Sequence, residues 1–131
     1  MRGGVIAFAV LLLAAIWPAG HAGAGDDGLA QREIASLIEA VGASGCRFQR
    51  NGRWHPPEAA QAHLQRKLDA ARRRGLEGSA EDFIARVASR SSLTGRPYRV
   101  RCDGVPEQSA AEWFGTRLQR MREADSSRVP R

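Results

Sequence analysis

The residues that most restrict this fold are the ones expected to leave before folding. Arg2 and the amino terminus make a short positive region, and residues 5–17 then run uncharged and apolar. Pro18 and Gly20 break any helix, and Ala22-Gly23-Ala24 supplies the small-x-small pattern that a signal peptidase cuts. The thirteen apolar residues would span only about 20 Å as a helix, short of the roughly 30 Å core of a bilayer. The segment therefore reads as a cleaved Sec-type signal and not as an anchor. No cysteine follows it to take a lipid, and no Arg-Arg pair precedes it. Cleavage is expected after Ala24, with His21 lost. Residues 25–131 would then be periplasmic or secreted, with no transmembrane anchor.

Those 107 residues suffice for one core and one domain. The only two cysteines, Cys46 and Cys102, both lie among them. In an oxidising compartment such a pair reads as a disulfide, and closing a loop of this length stabilises a small fold by about 4 kcal/mol in the chain-entropy account. The alternatives are two buried free thiols, or a zinc site with His55 and His63, whose spacing matches no usual ligand set. No metal or cofactor is expected. The formal net charge is +6, and every basic side chain except Lys67 is arginine. A basic domain suits anionic partners. Export, and the lack of a recognition motif, argue against nucleic acid.

Hydrophobic spacing predicts the order α-β-β-α-α-β-α, an α+β domain with a short antiparallel sheet covered by helices. Asp26 or Asp27 would cap a first helix carrying Ile34, Leu37, Ile38 and Val41 on one stripe, ended by Gly42. Cys46 to Arg50 alternates, and Asn51-Gly52 is a strong type I′ hairpin signal leading to a short return strand, Arg53 to His55. Pro57 opens a second helix with Ala60, Leu64, Leu68 and Ala71 inward; Arg72, Arg73 and Arg74 suit its dipole, and Gly75 stops it. Ser79 and Asp82 resemble a capping box before a helix with Phe83, Ile84 and Val87 inward. Tyr98, Val100 and Cys102 alternate with Arg99 and Arg101 in a strand. Ser109 and Glu112 form a second capping box, before a helix with Trp113, Phe114, Leu118 and Met121 inward. A polar tail frays from about Asp125.

The segments Cys46-x-Phe48-x-Arg50-Asn51-Gly52, His63-Leu64-x-x-Lys67-Leu68, Phe83-Ile84 and Ser91-Ser92-x-x-Gly95-x-Pro97-Tyr98-x-Val100-x-Cys102 occur here in that order. Together they resemble the YfeK-like family of small proteobacterial periplasmic proteins, a domain family of unknown function. The resemblance runs over about residues 34–122. It implies a signal peptide and a Cys46–Cys102 pairing, and it implies no activity, cofactor or catalytic residue.

Function is therefore argued from side chains. His63 and Lys67 stand four residues apart on one helical face. A lone lysine among arginines either meets a need for a compact, movable charge or is simply what chance leaves. A binding site would gather Arg50, Asn51, His63, Lys67, Ser91, Ser92 and Tyr98, with an envelope protein or an anionic envelope polymer as the partner. Arg47, Arg99 and Arg101 would make a second, basic sheet face. The competing reading is a small periplasmic hydrolase with His63 as base, Ser91 or Ser92 as nucleophile, and Lys67, Arg50 or Asn51 stabilising an anion. No nucleophile elbow, Ser-x-x-Lys or His-Glu-x-x-His pattern supports it. Asp69 lies six residues beyond His63, about 240° around the helix, too far round to orient it. A hydrolase inhibitor is a third possibility. The serines have a simpler use in hydrogen-bonding the turn before Gly95. The preferred reading is a non-catalytic binding module, monomeric or weakly associating.

Overall fold

The computed structural model describes residues 24–130. The signal segment expected over residues 1–24 lies almost wholly outside them. The elements run α1 (Ala24–Ala43), β1 (Arg47–Arg50), β2 (Arg53–His55), α2 (Pro57–Arg73), α3 (Ala80–Phe83) continuing into a π-helical turn Ile84–Ala88, β3 (Arg99–Arg101), β4 (Gln108–Ser109) and α4 (Ala110–Ser126). The expected order is present with one addition, the two-residue β4. All strand pairs are antiparallel, in the order β2-β1-β3-β4. No helix among the described residues is long and apolar enough to cross a membrane.

Local chemistry explains most of the boundaries. Asn51 and Gly52 both take positive φ, 49° and 81°, as the tight β1–β2 turn demands. Both capping boxes form: Ser79 accepts from the Asp82 N–H and Ser109 from the Glu112 N–H, with each carboxylate returning to the serine N–H. The Leu76 N–H reaches the Ala71 carbonyl and the Gly75 N–H reaches that of Arg72, a Schellman stop for α2. Two expectations for α1 are corrected. It is already helical at Ala24, so Asp26 and Asp27 lie within the helix and do not cap it. Gly42 does not end the helix, which runs to Ala43. A β-carbon at Gly42 would displace the end of the Gln61 side chain, which packs over the glycine from α2.

One core joins every layer. α1 contributes Ile34, Leu37, Ile38 and Val41, α2 Leu64 and Leu68, the α3–π segment Phe83 and Val87, and α4 Trp113, Phe114 and Leu118, all buried. Trp113 meets Phe48 and Phe114 edge-on at centroid distances of 5.5 and 5.0 Å. The register pairs Phe48 with Val100 and with His55, so these three share the helix-covered face of the sheet. It also pairs Arg47 with Arg101; one step further, Cys46 faces Cys102, and the two form a disulfide with Cα atoms 4.4 Å apart.

Candidate functional site

Strand alternation decides which polar groups meet. Arg50 stands two residues after Phe48 and Tyr98 two before Val100, so both lie on the face that α2 covers. α2 presents His63 and Lys67 to them one turn apart. The turn after the π segment closes the space: the Ser91 N–H donates to the Arg96 carbonyl, and that of Gly95 to the Ser91 carbonyl. The Thr94 hydroxyl donates to Asn51 Oδ1 at 2.9 Å, tying this loop to the hairpin. The result is a groove of about 420 Å³ lined by Arg50, Asn51, Arg53, His55, His63, Lys67, Ser91, Ser92, Leu93 and Tyr98. All seven side chains expected to converge do line it. Arg53 and His55 were missed, although the Arg50–Arg53 pairing across the Asn51-Gly52 turn is readable from a two-residue hairpin.

At the centre is a directed hydrogen-bond chain. Arg50 carries only donors and binds His63 Nδ1, so that nitrogen is the acceptor and the proton sits on Nε2. Nε2 in turn faces the Tyr98 hydroxyl at 3.4 Å. Lys67 Nζ donates to the same hydroxyl at 2.9 Å and to the Arg90 carbonyl at 2.7 Å, and lies 4.7 Å from the centre of the Tyr98 ring. Tyr98 oxygen is thus filled as an acceptor, and its own proton is free to be donated. A compact ammonium fits between a ring, a hydroxyl and a carbonyl in a way a planar guanidinium would not.

The electrostatics are one-sided. Burial first, then Arg50 and Lys67, push His63 down to about 4, so the ring is neutral near pH 7. Burial and Arg50 push Lys67 down to about 8. Burial raises the Tyr98 phenol, with Arg50 opposing. None of the groove's lining residues is acidic, and neither Arg50 nor Lys67 forms a salt bridge among the described residues. Two other hollows differ in kind. That between α1, α2 and α3, about 310 Å³, mixes Asp27, Glu77 and Asp82 with Arg72. That on the α4 face, about 860 Å³, is wide and open, with Glu81, Arg122 and Glu123 around it.

The serines divide. Ser91 is buried, and its hydroxyl accepts from the Leu93 and Thr94 N–H groups, each at 3.3 Å; it shapes the loop. Ser92 is exposed at the groove. The second, basic face does hold Arg99 and Arg101, but Glu107 bridges both at 3.0 and 3.1 Å and Arg101 stacks 4.2 Å from the centre of Trp54. Among the described residues no cluster of three or more His, Cys, Asp or Glu is placed to hold a metal ion.

Against known proteins, residues 29–122 match the model of a family of unknown function, DUF5329. The chain belongs to this family. Every groove residue lies within the matched span. The chain is also 51% identical over 51 residues to the uncharacterized protein YfeK of Salmonella typhimurium, a match covering 39% of this chain and 41% of that one. The matched region thus spans less than half the length of that relative. No solved structure matches the chain.

Proposed function

We propose that the protein is exported and works in the cell envelope as a non-catalytic binding module, taking an anionic group of an envelope protein or polymer in the groove between β1, α2 and the 90–97 loop. The observation that carries this reading is the pair of cations, Arg50 and Lys67, held half-buried at the groove with no carboxylate beside them. Removing cations from water without a counter-charge costs free energy, and a bound anion repays it. The free Tyr98 proton and the neutral His63 fit the same ligand, since neither brings an acceptor charge that would repel it. Export is supported by the residue 1–24 pattern and by the Cys46–Cys102 disulfide, a bond that persists in oxidising compartments. Ser91 has its hydroxyl turned to backbone N–H groups, and both His63 nitrogens are engaged. These engagements support binding over hydrolysis at Ser91.

The experiment is a chemical-shift titration of residues 25–131 with acetate and with inorganic phosphate at low ionic strength. Saturable shifts at His63, Lys67 and Tyr98 are expected, weakening as chloride is raised. Shifts scattered over the whole basic surface, or none, would refute the site. Export is tested separately. Mass spectrometry of the periplasmic fraction should find a chain beginning at Gly25 with the disulfide intact, and an uncleaved, reduced cytoplasmic chain would refute that half of the reading.

A further inference from the structure

Below the cationic groove lies a recess of different character. Phe48, Ala60 and Phe114 wall it, while Arg50, His55, His63 and Tyr98 line both spaces, so the two are adjacent. Its volume is about 30 Å³. A single water needs about 10–15 Å³, so the recess takes about two or three heavy atoms. Water there would find polar partners only at the mouth, and the deeper walls are carbon. Alanine stands where any larger aliphatic side chain would fill the gap, and the fold leaves the space open directly under its unpaired cations.

We propose that the ligand is a carboxylate carried on a short aliphatic end of about two or three carbons, its charge held by Arg50, Lys67 and the Tyr98 hydroxyl and its carbons seated in the recess. This rests on the anion-binding reading above and deepens it. A carboxylate is joined directly to carbon, so its substituent enters apolar walls without bringing a polar atom along. A phosphate ester would carry its bridging oxygen one bond deeper, away from the donors at the mouth and towards carbon walls. Two free donors from Lys67 and Tyr98, with the open edge of the Arg50 guanidinium, match the two oxygens of a carboxylate. Such an end occurs on free short-chain acids and at the C-terminus of a peptide ending in a small residue.

The test is a series of titrations on the intact domain with acetate, isobutyrate, N-acetylalanine and inorganic phosphate. Isobutyrate is expected to bind about tenfold tighter than acetate, the gain set by about 0.8 kcal/mol per buried carbon. N-acetylalanine gaining likewise would make a peptide end the source, and isobutyrate gaining alone would make it a free acid. Ala60→Leu, at a half-buried position, fills the recess and should erase the gain while acetate still binds. Equal affinity for acetate and isobutyrate, a gain that survives Ala60→Leu, or phosphate binding above both would overturn this inference and leave the anion site standing. No shift with any of the four would overturn both. The wild-type series decides alone if the variant fails to fold.

Discussion

Around Arg122 the charges are matched, and around Arg50 they are not. Glu33, buried on α1, receives both ends of the Arg122 guanidinium at 2.8 and 3.0 Å, and Arg122 also binds Glu81. That network joins α1, α3 and α4. Its pairing holds the Glu81 carboxyl below its usual range and raises Arg122. In the groove, Arg50 and Lys67 are partly withdrawn from water, and no carboxylate lines it. The difference separates a cluster that holds the fold from one that, on the proposed reading, takes an anion. Removing a member of the first should destabilise the fold; removing a charge from the second should have much less effect.

The largest expected effect is therefore at Arg122. Arg122→Ala strands the buried Glu33 carboxylate and should cost about 2 kcal/mol in urea denaturation, less than for a fully buried pair because Arg122 is itself half exposed. An unchanged midpoint would erase the contrast. Acid sharpens it. Folded His63 binds its proton more weakly than the unfolded chain, with a pKa of about 4 against 6.5. As pH falls from 6.5 towards 4 the unfolded state takes up more protons, and stability falls. The lowered Glu81 acts in the same direction, but only below its ordinary value of 4.5. The groove should thus begin to lose stability first on acidification. His63→Gln should flatten the loss between pH 6.5 and 4.5, read from unfolding midpoints across pH. In alkali only the groove responds. Lys67, at about 8 against 10.5, is less protonated folded than unfolded over that window, so stability rises with pH there. The smallest effect is expected from Lys67→Met, which removes a charge that burial disfavours but gives up the hydrogen bonds to Tyr98 and the Arg90 carbonyl; the two oppose each other, and stability should stay within about 1 kcal/mol of wild type at pH 7.

How far residues alone revealed these two clusters follows from the range of the forces that make them. The groove was legible because each part is local: alternation orients Arg50 and Tyr98, the i, i+4 spacing unites His63 and Lys67, and Asn51-Gly52 fixes the turn. The disulfide followed from compartment and count. The Arg122–Glu33 pair was not legible, since its members lie 89 residues apart and neither departs from an ordinary helical surface pattern. β4 escaped because two residues show no alternation; pairing with Arg99 and Val100 makes it a strand. The π turn Ile84–Ala88 keeps the apolar spacing of an α-helix and so looks like one, yet it lies just before Arg90, whose carbonyl meets Lys67. The apolar recess had no signal at all, because alanines in a helix read as filler until the neighbours that leave them uncovered are known.

Acetate added to wild type and to the Arg50→Gln/Lys67→Met double variant, followed by urea denaturation against chloride at equal ionic strength, tests the contrast most directly. At about ten times its Kd, acetate should stabilise wild type by about 1.4 kcal/mol and leave the double variant unmoved, with the two equally stable when acetate is absent. Equal stabilisation of both chains, or a double variant that is already unfolded in chloride, would contradict the claim that this cluster exists to hold an anion.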